Sequence, residues 1–152
     1  MATGTPGPKD RQRWMSVLAK APADRLITLF DGAVPRPTVS YLRHPEIGSV
    51  MVRGRMGGTG GAFNLGEMTV ARCSVMLAGG ETGHGYVQGR SKPAAEVAAI
   101  VDALMQTSAA EAVEDAVIAP LAAEAEAGRA ARAGKAAATK VDFFTLVRGE
   151  NA

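Results

Sequence analysis

A glycine-dense segment, residues 54–61, contains the residues whose types and spacing most suggest chemistry, and it reads GRMGGTGG. Arg53 and Arg55 stand at its start, and backbone amides of a glycine-rich loop beside guanidinium groups are a common way to hold a phosphate. The spacing fits no standard nucleotide motif, because G-x-x-x-x-G-K-[ST] is absent and the pattern that begins with Gly58 and Gly60 has no glycine at its sixth position. A turn between strands is therefore the favoured interpretation, and a substrate-phosphate site is the alternative.

His84 is the second candidate for a catalytic or binding role. It lies between Gly83 and Gly85, an arrangement in which a ligand or another backbone can approach closely. A catalytic histidine needs an orienting acid or a nucleophile, and no sequence neighbour supplies one. The favoured interpretation is a strand histidine at an interface, with substrate binding as the alternative.

Cys73 follows Arg72, whose charge could lower the pKa of the thiol, but a cysteine in the middle of a strand is usually an inert core residue. No Ser-His-Asp arrangement, carboxylate pair or cluster of metal ligands stands out elsewhere in the sequence. We therefore name no catalytic residue and expect neither a metal site nor a cofactor of the chain's own. The chain does not look like a self-sufficient enzyme.

The composition is that of one ordinary globular domain. The chain has 152 residues, of which 47% are hydrophobic and 21% charged, so we expect a flexible tail over residues 1–9 and a single domain over residues 10–150. One cysteine permits no internal disulfide, and neither a secretory signal nor a membrane-spanning run is present, which favours the cytoplasm and no membrane contact. A net charge of +2 with 5% aromatic residues does not indicate nucleic-acid binding.

The charges are unevenly distributed along the chain. Residues 1–92 carry 12 Lys and Arg but six Asp and Glu, whereas residues 93–152 carry five and nine. This separation of charge suits docking surfaces more than catalysis.

Hydrophobic spacing predicts an α+β chain with an N-terminal helical hairpin, a small antiparallel β-sheet, C-terminal helices and a short terminal strand. The predicted helices cover about 11–20 with Asp10 as N-cap, about 22–31, a stretch that begins near Pro93, and about 109–128 with a break at Pro120. The predicted strands cover 38–42, 49–53, 63–77 and 82–88, with a hairpin turn at 78–81. Both faces of the longest strand carry apolar residues, so we expect both to be covered.

Two C-terminal features point to a partner. The stretch 122–138 is mostly alanine and charge, so it is either frayed or packed on another chain. Phe143, Phe144 and Leu146 then form an apolar cluster that must pack back on the sheet or onto another chain. We assign these three residues, together with Arg72, to a partner interface.

The segment 53–75, RGRMGGTGGAFNLGEMTVARCSV, resembles the PhnG family, a subunit of the bacterial carbon–phosphorus lyase system. Further blocks resemble the same family in the same order, at residues 11–15, 83–90, 98–106 and 139–150. The resemblance thus covers nearly the whole chain. One departure follows the last predicted strand, where the family often has Gly-Arg-Asp-Lys and this chain has Ser91 in place of the aspartate.

The resemblance implies a place in a multi-subunit enzyme. In that family PhnG joins PhnH, PhnI and PhnJ in a two-fold symmetric core complex. The complex helps convert ATP and an alkylphosphonate into a ribose alkylphosphonate triphosphate with release of adenine. The nucleosidase-like PhnI is regarded as catalytic there, assisted by PhnG, PhnH and PhnL, and the iron–sulfur cluster belongs to PhnJ. The family implies no active site in PhnG itself.

The sequence and the resemblance together leave two main hypotheses. On the first, the chain is a non-catalytic subunit that supports the transferase reaction and self-associates about the two-fold axis. On the second, it contributes directly to a composite active site, and its substrate-binding residues are Arg53, Arg55, Gly58, Gly60 and His84. A stand-alone enzyme that binds phosphate or nucleotide is a weaker third hypothesis, and binding of ATP by the isolated chain would distinguish it.

Overall fold

Helices at both ends of the chain flank three antiparallel strands in the computed structural model, which describes residues 6–141. The elements, in chain order, are α1 (Pro8–Lys20), α2 (Ala23–Ala33), β1 (Val39–Arg55), β2 (Ala62–Leu77), β3 (Thr82–Gln88), α3 (Lys92–Leu104), α4 (Ala110–Val113) and α5 (Ala119–Ala138). A 3-10 turn covers Met56–Gly58, and a π-helix covers Glu114–Ile118 between α4 and α5. The expected α+β class is confirmed.

The sheet has the order β1-β2-β3, with both pairs antiparallel. The segments 38–42 and 49–53, expected as two strands, belong except for Thr38 to the single strand β1, which pairs with β2 along nearly its whole length. Shifts in register between Tyr41 and Glu46 absorb Pro45, which has no amide hydrogen for the ladder. The expected turn at 78–81 forms, since the Leu77 amide donates to the Glu81 carbonyl and the Gly80 amide to the Leu77 carbonyl.

The core lies between one face of the sheet and α3. Alternate residues of β2 are buried there, namely Ala71, Cys73, Val75 and Leu77. The helices α1 and α2 are joined by Ala21 and Pro22, and α1 packs mainly on β3 whereas α2 packs mainly on α3. The helices are therefore concentrated on one side and at one edge of the sheet.

The backbone of α3 lies directly on β3 at two glycines. A Cβ atom at Gly83 would overlap the Ala99 carbonyl oxygen, and one at Gly85 would overlap the Ala95 carbonyl oxygen. The glycines beside His84 thus allow the close approach of a helix backbone. The sequence predicts the approach of either a ligand or another backbone at this place.

Helix ends differ from expectation at the N-terminus. Asp10 is not the N-cap of α1, because Gly7 holds that position and the helix begins at Pro8, where a proline with its fixed φ fits the first turn. The expected tail over residues 1–9 is therefore wrong for Pro8 and Lys9, and residues 1–5 lie outside the described part. At α3, the Ser91 hydroxyl accepts from the Ala94 amide at 3.2 Å, and serine caps a helix as well as aspartate does.

The expected break at Pro120 is a change of helix type. The five-residue π-helix ends at Ile118, and Pro120 lies in the first turn of α5, where its missing amide hydrogen costs least. The alanine-rich stretch is helical to Ala138, and Leu121 is the buried residue of α5. Fraying is thus wrong for this stretch, and packing on another chain stays a prediction.

The outer face of the sheet, opposite α3, is less covered than expected. Arg72, Ser74 and Met76 of β2 are half-buried, in alternation with the buried residues of the core face. Full cover on both faces is therefore wrong within residues 6–141, because the described helices pack on the core face and at the β3 edge. Phe143, Phe144, Leu146 and the short terminal strand lie outside the described residues.

Candidate functional site

A buried carboxylate joins three elements beside His84. Asp102 of α3 is 0% exposed, and its oxygens accept from Arg11 Nε at 3.1 Å, Arg11 Nη2 at 2.8 Å and Trp14 Nε1 at 2.8 Å. The same carboxylate accepts from the backbone amide of His84 at 2.8 Å. Asp102 therefore ties α1 and the free edge of β3 to α3, and it acts on His84 through the backbone and not through the imidazole.

The same contacts cover the start of β3. The Thr82 carbonyl accepts from Gln106 Nε2 at 2.8 Å and from Arg11 Nη2 at 3.2 Å. The hydrogen bond to Asp102 raises the pKa of Arg11 above its ordinary value. This edge is consequently occupied by side chains and is closed to a further strand at these positions.

His84 lies on the outer face and pairs with a serine. Ser74 is opposite it in register, and Ser74 Oγ lies 2.8 Å from His84 Nδ1. No acidic side chain within residues 6–141 hydrogen-bonds to the imidazole, so the pair lacks the third member that orients a catalytic histidine. The hydroxyl and the ring satisfy each other, which suits an exposed strand position.

Arg72, the predicted interface residue, is held on the same face by two neighbours. Its Nε donates to Glu46 Oε1 at 2.6 Å, and its Nη1 donates to the Tyr86 hydroxyl at 3.5 Å. Glu46 also pairs with Arg43, and the two guanidinium groups, Arg43 first, lower the pKa of that carboxyl. The charge of Arg72 is thus already compensated, and the cluster is poorly suited to hold a phosphate.

A cleft of about 480 Å³ adjoins this face where α1 passes β3. Its walls include Gln12, Met15, His84 and Tyr86. The walls are mainly apolar, so they offer area for packing rather than a set of converging polar groups.

Cys73 faces the core, as expected for an inert thiol. It is buried, and its Sγ donates to the Arg43 carbonyl oxygen at 3.4 Å. Burial raises the pKa of the thiol to about 11, with Glu96 as a smaller cause. Arg72 does not counteract this, because its side chain lies on the opposite face of β2.

We expect Cys73 to react at least about a hundredfold more slowly with iodoacetamide in the folded chain than in urea at pH 7.5. The thiolate is the nucleophile, and a pKa near 11 instead of about 8.5 lowers its population by roughly that factor before any steric protection is counted. Mass spectrometry of timed samples measures both rates, with the urea-unfolded chain as control. Equal rates would show that the thiol is accessible in the folded state.

The arginines and glycines of the first candidate site lie elsewhere, on an arm. We call "the arm" the part of the β1–β2 hairpin beyond the end of β3, which comprises residues 49–69. Arg53 pairs in register with Asn64, and His84 with Ser74. Ten residues of extended strand separate those two positions, or about 33 Å. The five candidate substrate-binding residues therefore occupy two distant places on one chain.

The glycine loop at the end of the arm is a tight turn. The amides of Thr59 and Gly60 both donate to the Met56 carbonyl oxygen, and the Met56 amide donates to the Gly61 carbonyl. Gly57 and Gly58 have φ values of 59° and 81°, which favour glycine. The turn interpretation is confirmed, and the amides engaged in the turn cannot also cradle a phosphate.

Substrate contact at the arm stays a prediction. Arg55 Nη1 donates to the Gly60 carbonyl at 3.3 Å, which holds its side chain beside the turn. Neither Arg53 nor Arg55 forms an ion pair with an acid of residues 6–141.

Residues 6–141 contain no group of three or more His, Cys, Asp or Glu side chains placed to hold a metal ion. No helix among them is both long and apolar enough to cross a membrane.

The sequence itself contains a signal for Asp102, although no catalytic motif includes this residue. It is the one charged residue among the apolar residues of the 97–105 helix stripe. A carboxylate in such a stripe is rarely buried unless it is paired. Its partners Arg11 and Trp14 are about 90 positions away in the chain, so the sequence offers no direct means to find them.

Comparison with known proteins identifies the family of the chain. Residues 9–149 match the family described as "Phosphonate metabolism protein PhnG". A curated relative from Rhizobium meliloti (strain 1021) is the "Alpha-D-ribose 1-methylphosphonate 5-triphosphate synthase subunit PhnG", and it is 46% identical over 145 residues, which are 95% of this chain and 93% of the relative. The chain belongs to the PhnG family of phosphonate metabolism proteins.

Proposed function

We propose that this chain is a non-catalytic, accessory subunit of the carbon–phosphorus lyase core complex. In it, the chain supports transfer of an alkylphosphonate to the ribose C1 of ATP with release of adenine, in the catabolism of organic phosphonates. The relative's name, a subunit of a ribose 1-methylphosphonate triphosphate synthase, supports this. The proposed partners are PhnI, PhnH and PhnJ in the cytoplasm. ATP is then a substrate of the complex, and the iron–sulfur cluster belongs to PhnJ.

One observation carries the accessory role: the candidate substrate-binding residues do not converge on one site. His84 is paired with Ser74, and Arg72 is paired with Glu46. Arg53 lies on the arm about 33 Å from His84 by the count of strand residues, and Arg55 lies farther still. An active site needs its groups within a few ångströms of one reacting centre. The described residues instead form surfaces that suit contact with other subunits.

A second candidate function rests on the two arm arginines. On this alternative, they contribute to a composite active site at a subunit border, where a guanidinium pair would bind triphosphate oxygens. The observation in its favour is that residues 6–141 supply neither arginine with an acidic partner. A carboxylate on a neighbouring subunit satisfies the same groups, and we favour it because the amides of Met56, Thr59 and Gly60 are engaged within the turn.

The double variant Arg53→Ala and Arg55→Ala distinguishes these functions in a complex reconstituted with PhnI, PhnH, PhnJ and PhnL. We expect the complexes that assemble to release adenine from ATP at a near-normal rate and with near-normal apparent ATP affinity. Chromatographic detection of adenine over a range of ATP concentrations measures both quantities. Lys9→Ala with Lys20→Ala, two exposed positions of α1, is the control for the loss of two positive charges.

A tenfold weaker ATP affinity in fully assembled complexes would contradict the accessory role. That factor corresponds to about 1.4 kcal/mol of lost nucleotide contact. The arm would then be part of the active site. ATP binding by the isolated chain would contradict both candidates, because it would indicate a stand-alone nucleotide site.

A further inference from the structure

We propose that the arm is an anchor that inserts into an apolar groove, bordered by carboxylates, on another subunit of the complex. The inference rests on the proposed function, since it names the surface by which the accessory subunit is held. Four observations support it: the arm's lack of support, its exposed apolar side chains, the fixed position of one aromatic ring and its unpaired cations.

The arm is a two-stranded ribbon without a third strand. β3 pairs with residues 70–76 of β2, whereas β1 continues its pairing with β2 to Arg55 and Ala62. Seven residues of β1, 49–55, thus extend beyond the three-stranded part of the sheet, or about 24 Å. An isolated hairpin of this kind is marginally stable in water, so its length calls for a surface that supports it.

Apolar side chains of the arm are exposed to an unusual degree. Leu65 is 67% exposed, Met56 70%, Met51 53% and Phe63 42%. Single exposed apolar residues are ordinary, but four on one short hairpin, with Met51 and Phe63 on opposite faces of the ribbon, mark it as a segment that a partner surrounds. Met and aromatic residues are also the types that are enriched at protein interfaces.

The ring of Phe63 is held in place before any partner binds. Phe63 is opposite Gly54 in register, and its ring lies across that glycine, with two ring carbons 3.5 Å from where a Cβ would be. Part of the ring therefore packs on the backbone at Gly54 while the remainder stays exposed. A fixed aromatic group loses little conformational freedom on binding, and such groups dominate the affinity of interfaces.

A bulge directs the next apolar side chain. Val52 pairs with Gly66 and Arg53 pairs with Asn64, which leaves Leu65 as the extra residue of β2. Bulges of this kind increase strand twist and change where a side chain points. Phe63 and Leu65 are consequently the two anchors to which we assign most of the binding energy.

The charges indicate what surrounds the groove. Arg53 and Arg55 are exposed on the arm without an acidic partner in residues 6–141, and Glu67 is the arm's acidic residue. Carboxylates at the groove border would pair with the two guanidinium groups and fix the depth of insertion.

The same charges disfavour other occupants. Two copies of the arm that face each other would bring like charges together, so a second copy is the poorer match. A membrane surface is usually recognised by four to eight clustered Lys or Arg, and the arm has two. A protein groove with carboxylates fits the apolar and the charged groups at once.

The test is binding of the full chain to the preassembled PhnI–PhnH–PhnJ partners, measured by biolayer interferometry. We expect Phe63→Ser with Leu65→Ser to weaken binding at least about a hundredfold, since truncation of central anchors has effects of this size. Leu42→Ser is the matched control, because Leu42 is an exposed apolar residue of β1 outside the arm, in the three-stranded part of the sheet. Circular dichroism and thermal unfolding verify that each variant is folded.

A charge variant tests the border of the groove. Arg53→Glu with Arg55→Glu should weaken binding at least about tenfold, and raised salt should weaken binding of the wild type more than that of Arg53→Gln with Arg55→Gln.

Unchanged binding of the folded Phe63 and Leu65 variant, with the wild-type chain still bound, would overturn the inference and leave the proposed function standing. No binding by the wild-type chain would overturn the proposed function itself. Flotation of the wild-type chain with phosphatidylserine vesicles, lost in the same variant, would overturn the inference in favour of a membrane.

Discussion

Replacement of Asp102 by alanine should lower the free energy of unfolding by about 3–5 kcal/mol, the range for removal of one partner of a buried ion pair. The carboxylate is fully buried and accepts from Arg11, from the Trp14 indole and from the His84 amide. Without it, the indole and the amide lose their acceptor in a place that water reaches poorly, and an unpaired buried donor costs more than the hydrogen bond itself contributes. Urea unfolding followed by tryptophan fluorescence measures the change, since Trp14 lies at the site.

Glu114→Ala is the matched control for Asp102→Ala. Glu114 also binds an arginine of α1, with Arg13 Nη2 at 2.8 Å, but half of the Arg13 side chain is exposed. An exposed pair typically contributes 0–1 kcal/mol, so we expect about that loss. Equal effects of the two alanine substitutions would show that Asp102 does not have the role that its burial assigns to it.

Gly85→Ala should lower the free energy of unfolding by about 3 kcal/mol, at the upper end of the range for an overpacked core. The added methyl group would overlap the Ala95 carbonyl oxygen and lie 2.8 Å from the Ala99 amide nitrogen. Both atoms belong to the backbone of α3, which cannot move aside as a flexible side chain would. The helix must therefore shift away from β3, and we expect slower sedimentation or weaker amide protection in α3 as well as a lower urea midpoint.

Gly66→Ala is the control for this substitution, because it introduces the same methyl group into a strand of the same sheet. No atom lies within 4 Å of the place that its Cβ would take, and its φ is not in the left-handed region. We expect a change within about 0.5 kcal/mol, as at a site where alanine adopts the native backbone without strain. A similar loss in both variants would mean that strand glycines, and not contact with α3, account for the effect.

Local patterns were enough to predict most of the elements. The strand at Thr82–Gln88, the turn before it and the long strand that begins near Phe63 all match the structure. Alternation of side chains and glycine-rich turns are properties of adjacent residues, so one sequence displays them. The prediction of two separate strands was wrong at Pro45. Proline interrupts the alternating pattern, but β1 continues past it through a bulge.

The candidate site was predicted less well, for the same reason. The tight turn at residues 54–61 and the inert Cys73 could be inferred from neighbours in the chain. The separation of Arg53 from His84 could not, because it depends on how far β1 and β2 extend past β3. The cover of the outer face was overestimated, since apolar residues on both faces of a strand do not specify which elements pack against them.

The sequence by itself determined the α+β class, the β1–β2 and β2–β3 hairpins and membership of the PhnG family, because each is encoded in spacing or in blocks of successive residues. The tertiary structure alone decided the roles of Asp102 and of the glycines at 83 and 85. Those roles come from groups that are far apart in the chain and meet when α1 and α3 pack on β3. Burial gives a carboxylate or a missing side chain its energetic weight, and burial is a property of the packed chain rather than of any segment.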